Sequence, residues 1–177
     1  MERSPPLGRA SIKPNKNIYQ TSREDLKWSR AKASEMLECI SESQIEKYED
    51  EKTVPRPEDV VRMSEVYKKP DLCNYYCTHE CAIGKIYVPE VKKQALPQII
   101  LEMLASLNAV NQDRDRLIEI AADGEIHDDE LEDFVMIQDK LQQISMTVDS
   151  LKLWVNNTIA SGKIDKSKLE EIQKSVR

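Results

Sequence analysis

The spacing of apolar residues changes character near the middle of the chain. Between residues 18 and 70 apolar positions come in short bursts separated by polar corners, and they predict short helices: one ending near Trp28, then 29–38, 41–50 and 57–67. Pro57 suits the first turn of the last of these, where its missing N–H is not needed, and Lys68-Lys69-Pro70 closes it. From residue 96 the pattern lengthens. Leu96, Ile99, Ile100, Met103, Leu104, Leu107, Val110, Leu117 and Ile118 form one helical stripe that runs to Asp123-Gly124. Phe134, Ile137, Leu141, Ile144, Val148, Leu151 and Val155 then alternate at spacings of 3 and 4, a heptad seam of a helix that packs lengthwise on another. A final helix is expected after Gly162, with Ser167 and Glu170 as a capping box and Leu169, Ile172 and Val176 on its inner face.

These elements predict an all-α protein, and the composition agrees: 4 glycines and 1 phenylalanine give sheets little to work with. The organisation expected is a flexible basic arm over 1–16, a helix-turn-helix domain of four to five short helices over 17–70, a Cys-rich connector over 71–94, and a long-helix hairpin or coiled-coil unit over 95–177. In the first domain Ile18, Leu26, Ala33, Met36, Leu37, Ile40, Ile45, Tyr48, Val60, Val61, Met63 and Val66 are the expected core. One αα-hairpin leaves an outer apolar edge uncovered, so a homodimer through 95–155 is expected, the alternative being packing on another part of the same chain. No run of about 18 apolar residues occurs and the N-terminus lacks an apolar segment, so neither a membrane span nor a signal peptide is expected and the location expected is the cytoplasm.

Net charge sharpens the picture. The chain carries −6 overall, which is unusual for a nucleic-acid binder, but the balance is uneven. Residues 1–16 hold 4 basic and 1 acidic side chain, residues 17–70 hold 10 and 12, and residues 89–177 hold 11 and 17. The basic excess lies in the N-terminal arm.

The two helices at 29–38 and 41–50 meet at a tight corner, and Ser41, Glu42, Ser43, Gln44 and Lys47 present polar groups along the second. In a helix-turn-helix that position meets base edges while neighbouring groups hold phosphates. The stretch SREDLKWSRAKASEMLECISESQIEKYEDEKTVPRPEDVVRMSEVYKKPDL resembles the phage-repressor and Cro-like helix-turn-helix domain of xenobiotic-response-element regulators, with Arg23 in the first helix, SRAKASEML as scaffold and ISESQIEKYE as recognition helix. With NYYCTHECAIGK and IEIAADGEIHDDELEDF beyond it, the chain is similar to helix-turn-helix regulators of anaerobic Firmicutes. The resemblance implies a transcriptional regulator that binds double-stranded DNA. Two features depart from the family. Glu38-Cys39 stands in the turn where a glycine is usual, and Glu49-Asp50-Glu51 follows the recognition helix before Lys52.

Can an acidic helix read an acidic polymer? A carboxylate can accept from cytosine N4 and Gln44 can bind adenine through two hydrogen bonds, so base readout is compatible with the acids. Affinity must then come from Arg23, Lys27, Arg30, Lys32, Lys47 and Lys52, with Arg3, Arg9, Lys13 and Lys16 on the arm. The alternative is an adaptor or inhibitor that uses the same surface on a protein partner.

Cys73, Cys77, His79 and Cys81 supply four soft ligands of types zinc accepts, at the awkward spacing C-x3-C-x-H-x-C. The reading preferred is that they are small apolar thiols packed where the two units meet, with His79 capping a chain end, the alternatives being the metal site and a thiol switch. The motifs require no cofactor, zinc at this cluster being the one exception considered. AADGEIHDDELEDF resembles part of a calcium loop but has Ala121 where a carboxylate is needed, and a helix corner capped by Asp128 or Asp129 accounts for it better. No catalytic constellation is present, with His79 and His127 as the only histidines, and enzymatic activity is not expected.

Overall fold

A computed structural model of the chain describes residues 15–176. The protein is all-α: ten helices and no strand occur among the described residues. In chain order they are α1 (Ile18–Asp25), α2 (Arg30–Leu37), α3 (Glu42–Glu49), α4 (Pro57–Val66), α5 (Asp71–His79), α6 (Gly84–Tyr87), α7 (Leu96–Gln112), α8 (Arg114–Ile120), α9 (Leu131–Ala160) and α10 (Lys166–Val176). The described residues divide into two compact units, one grouping residues 15–90 with 157–176 and the other being Val91–Asn156. The expected arm lies outside the described residues except for Asn15 and Lys16, and the Lys16 ammonium pairs with Glu24 at 2.5 Å. No helix among the described residues is long and apolar enough to cross a membrane.

The short helices of the first unit start where a side chain can bond the free N–H groups of a first turn. Asn17 accepts from the Gln20 N–H at 3.0 Å, Ser29 from Lys32 at 3.1 Å and Ser41 from Gln44 at 3.2 Å, while α4 begins on Pro57. They stop without glycine. Lys27, Glu51 and Lys68 take left-handed φ values of 59°, 58° and 56° after α1, α3 and α4. In each case the next residue's N–H reaches back five positions, from Trp28 to Arg23 O, Lys52 to Lys47 O and Lys69 to Ser64 O. This is the closing pattern usually built on glycine, and a side chain at that φ costs roughly 1–2 kcal/mol.

Tyr19, Ala33, Leu37, Ile40, Ile45, Tyr48, Val60, Met63, Tyr67 and Leu72 form the first core. Most of the expected core is there, but Met36 and Val61 are 40% and 50% exposed. An eight-residue helix such as α2 shows the core only a narrow stripe, which Ala33 and Leu37 fill one turn apart. Tyr19 enters because a tyrosine can bury its ring and still bond through its hydroxyl, which donates to Glu80 at 2.9 Å; Tyr67 is buried with its hydroxyl unpartnered among the described residues, its ring set edge-on against Trp28 at 6.1 Å. Tyr48, like Tyr19, donates, in its case to the buried Asp59 at 2.6 Å.

The segment 71–94 is more than a connector. Its helices α5 and α6 belong to the first unit, and Leu72 is fully buried in the core. Asn74 donates to Pro89 O at 3.0 Å, closing the segment on itself.

In the second unit the stripe from Leu96 does not run unbroken. It breaks at Asp113 between α7 and α8, and the Asp113 carboxylate bonds the Lys140 ammonium of α9. Arg116 Nε donates to Asp133 at 2.7 Å, a second tie between α8 and α9. Gly124 follows with φ 79°, the corner expected for the hairpin. Ile99, Ile120, Ile137 and Thr147 are buried, but the heptad seam is only partly covered, with Leu141 and Val148 44% and 37% exposed. In α10, which is grouped with the first unit, the start is also corrected: Asp165, not Ser167, caps it, accepting from the Ser167 and Lys168 N–H groups at 2.9 and 3.2 Å. Ile172 and Val176 on that helix are exposed rather than inward.

A methyl group tests the place of α6. A Cβ on Gly84 would lie 2.1 Å from the Cys77 carbonyl oxygen, so only glycine lets α6 approach α5 this closely. Gly84→Ala should lower the stability of the chain by about 1–3 kcal/mol in urea unfolding; an unchanged midpoint would show that α6 is not packed as described.

Candidate nucleic-acid interface

The corner between α2 and α3 is made without the glycine that the sequence lacks. Glu38 takes φ 62° and ψ −45°, and the Cys39 N–H bonds Leu37 O at 2.7 Å across a three-residue turn. Neighbouring side chains hold it. Ser34 Oγ donates to Ile40 O at 2.8 Å, and the Arg62 guanidinium of α4 reaches the Leu37 and Met36 carbonyls at 3.3 and 3.4 Å. Carbonyls at the end of α2 that have no partner inside the helix are thereby satisfied.

Beneath the corner lies a buried ion pair. Arg23 on α1 donates from Nε and Nη2 to the two Glu49 oxygens at 2.6 and 2.9 Å, and from Nη1 to Trp28 O at 2.5 Å. Arg23 and Glu49 are only 6% and 4% exposed. Arg30 on α2 adds a second cation, donating to Glu49 at 2.8 Å and to Glu46 at 3.0 Å, with Asp50 at 3.5 Å. Burial works against the charge on Arg30, but Glu49, Glu46 and Asp50 outweigh it and raise its pKa above the ordinary arginine value.

This arrangement corrects the list of expected DNA contacts. Arg23 is interior and cannot hold a phosphate. Arg30 is engaged by acids of α3, Lys32 pairs with Glu35 at 3.0 Å, and Lys52 pairs with Asp50 at 3.0 Å. Lys27 and Lys47 are exposed and have no acidic partner among the described residues. Ser41, Glu42 and Ser43 stand exposed at the start of α3 with Gln44 half-buried behind them, so the structure gathers these four with Lys47 along one short helix. Glu49 is the residue of this corner whose buried pairing pattern reading passes over. A signal was present: Glu49 follows Ile45, and Arg23 follows Tyr19, by four residues, so each charge sits one turn along from a core position.

The cysteine cluster is divided by its helix. Cys73 and Cys77 lie a turn apart on α5, and Cys73 Sγ approaches Ser64 Oγ at 3.4 Å. His79 stacks on Tyr75 with ring centres 4.3 Å apart and bonds Tyr75 O and Thr78 Oγ1 through Nδ1. Cys81 Sγ accepts from the Gly84 N–H at 3.4 Å. Burial, with Cys81 and Cys73 adding to it, pushes the Cys77 thiol up and away from the reactive thiolate. No three His, Cys, Asp or Glu side chains are placed together as metal ligands among the described residues. At the acidic corner, Glu130 rather than Asp128 or Asp129 reaches back to a backbone group, accepting from the His127 N–H at 3.2 Å. Asp123 pairs with His127 at 2.9 Å and raises the imidazole pKa.

Compared with known protein families, curated proteins and solved structures, the chain shows no significant match to any family model, protein or structure.

The strained corner is open to a direct check. Glu38 is 80% exposed at its side chain and its 3.5 Å pair with Arg62 contributes little, whereas its backbone sits where glycine is at ease. Glu38→Gly should therefore raise stability by about 0.5–1 kcal/mol, read as a higher urea midpoint; a loss would mean the turn is not left-handed.

Proposed function

We propose that the protein is a sequence-specific double-stranded DNA-binding transcriptional regulator that acts as a homodimer. The observation that carries this reading is the division of labour along α3. Its later acids, Glu46 and Glu49, with Asp50 at its end, are engaged by Arg23, Arg30 and Lys52, while Ser41, Glu42, Ser43 and Gln44 at its start are left to face a ligand. Glu42 is then the one acid of α3 without a cationic partner among the described residues. It stands in the first helical turn, where a carboxylate accepting from cytosine N4 and Gln44 bonding adenine would read sequence. Lys47 and Lys27 would hold phosphates.

Dimerisation is supported by the second unit. Leu101, Leu104 and Leu107 on α7 are 64%, 53% and 46% exposed, and Leu141 and Val148 of the α9 seam are 44% and 37% exposed. Large apolar patches of this kind mark association surfaces, and a two-fold pair would set two α3 helices on half-sites. A second reading, a helix-turn-helix that binds a protein, is favoured by one observation: of the six basic residues expected to hold DNA, four are already paired with acids.

Selection of bound duplexes from a random pool, then titration of the winner at two salt concentrations, separates the readings. Under the DNA reading a two-part repeat emerges with half-site centres about 34–36 Å apart. Lys47→Ala then weakens all sites with a shallower salt slope, and Gln44→Ala relaxes base preference. Enrichment of no sequence by folded, dimeric protein would favour the protein partner.

A further inference from the structure

A cleft of about 290 Å³ opens in the first unit beside the start of α1, the segment after α3 and the end of α5. Its lining includes Glu51 and Glu80, the Tyr75 ring, and Val54, and contains no lysine, arginine or histidine. The two carboxylates reach it from separate elements. Glu80 accepts from the Tyr19 hydroxyl at 2.9 Å, and Glu51 stands exposed in the left-handed closing turn of α3. Tyr75 is set in place by its stack on His79 and by a T-shaped contact with Tyr19 at 6.2 Å. Of the other polar side chains in the lining, Thr53 and Tyr48 are neutral, and Asn17 is already engaged, accepting from Gln20 N–H and donating to Tyr48 O at 2.7 Å.

Two carboxylates facing one cavity without a cation attract positive charge. A bare metal ion is a poor occupant, since calcium takes six to eight oxygens and no third acidic or imidazole group joins these two. An organic cation suits the lining better. It can ion-pair with both acids and lie against an aromatic ring, a contact that strengthens as water is excluded.

We propose that this cleft binds a small organic cation bearing primary amine or guanidinium groups, ion-paired with Glu51 and Glu80 and set against Tyr75. The electrostatics lean the same way. Burial pushes the Glu80 carboxyl up and Glu51 adds to it, while the Tyr19 hydrogen bond, His79 and Lys85 act against them; a cation in the cleft would offset the repulsion between the two acids. The site is independent of what α3 reads.

Isothermal titration of the full chain with putrescine and with agmatine tests it, with 1,4-butanediol and succinate as neutral and anionic controls of similar length. Saturable one-site binding of at least one cation and of neither control is expected, with Glu51→Gln and Glu80→Gln each weakening it by about tenfold or more. No saturable heat with either cation, equal binding of succinate, or variants that bind like the parent chain would overturn the proposal. Circular dichroism checks the fold of both variants. Glu51 is exposed, so if Glu80→Gln fails to fold, Glu51→Gln alone decides the matter.

Discussion

The first unit depends on one buried charge pair. Arg23 and Glu49 lie 26 residues apart in sequence, and their forked contact fixes α1 against α3 while Arg23 also holds the Trp28 carbonyl at the entry to α2. Such a pair adds little net stability over apolar residues of the same shape, because both ions lose their water. Its strength is in what it forbids. Removing either partner leaves a lone buried charge at a cost of about 3–5 kcal/mol, so the helices have one arrangement in which both ions are satisfied. Arg30 extends the constraint to α2 and completes the frame around the corner.

That frame sets what the surface can do. An α3 carrying Glu42, Glu46 and Glu49 with Asp50 at its end looks hostile to a polyanion, yet most of this charge is neutralised from within by arginines that thereby leave the surface. Neutralisation and depletion are the same event. The helix keeps a polar start with a single carboxylate, Glu42, that has no cationic partner among the described residues, and little cationic surface to supply affinity. A second copy of the chain, bringing a second α3, is therefore part of the functional proposal and not an addition to it.

Much of the fold could be read from sequence. Serines at 29 and 41 and Pro57 marked helix starts to within a residue, because capping is local chemistry. Burial was harder where it depends on tertiary partners. Arg23 and Glu49 look like surface charges until each supplies the other's counterion, and Leu72 looks like linker until α5 is folded onto α4. The ends of α2, α3 and α4 were also read to within a residue, but not how they close: Lys27, Glu38, Glu51 and Lys68 adopt positive φ that glycine would announce. Of the candidate site, the start of α3 was legible because exposed polar residues ahead of an apolar stripe need no partner to be recognised. The division of basic residues into paired and free was not, since pairing is a property of the packed corner.

The central claim is that Arg23 and Glu49 act as one unit that specifies the first core. A double-mutant cycle in urea unfolding, with Arg23→Met, Glu49→Met and the two together, tests it most directly. The account predicts single variants each destabilised by about 3–5 kcal/mol and a double variant far less damaged than their sum, with a coupling of about 2 kcal/mol or more. Additive losses, or single variants as stable as the parent chain, would contradict it.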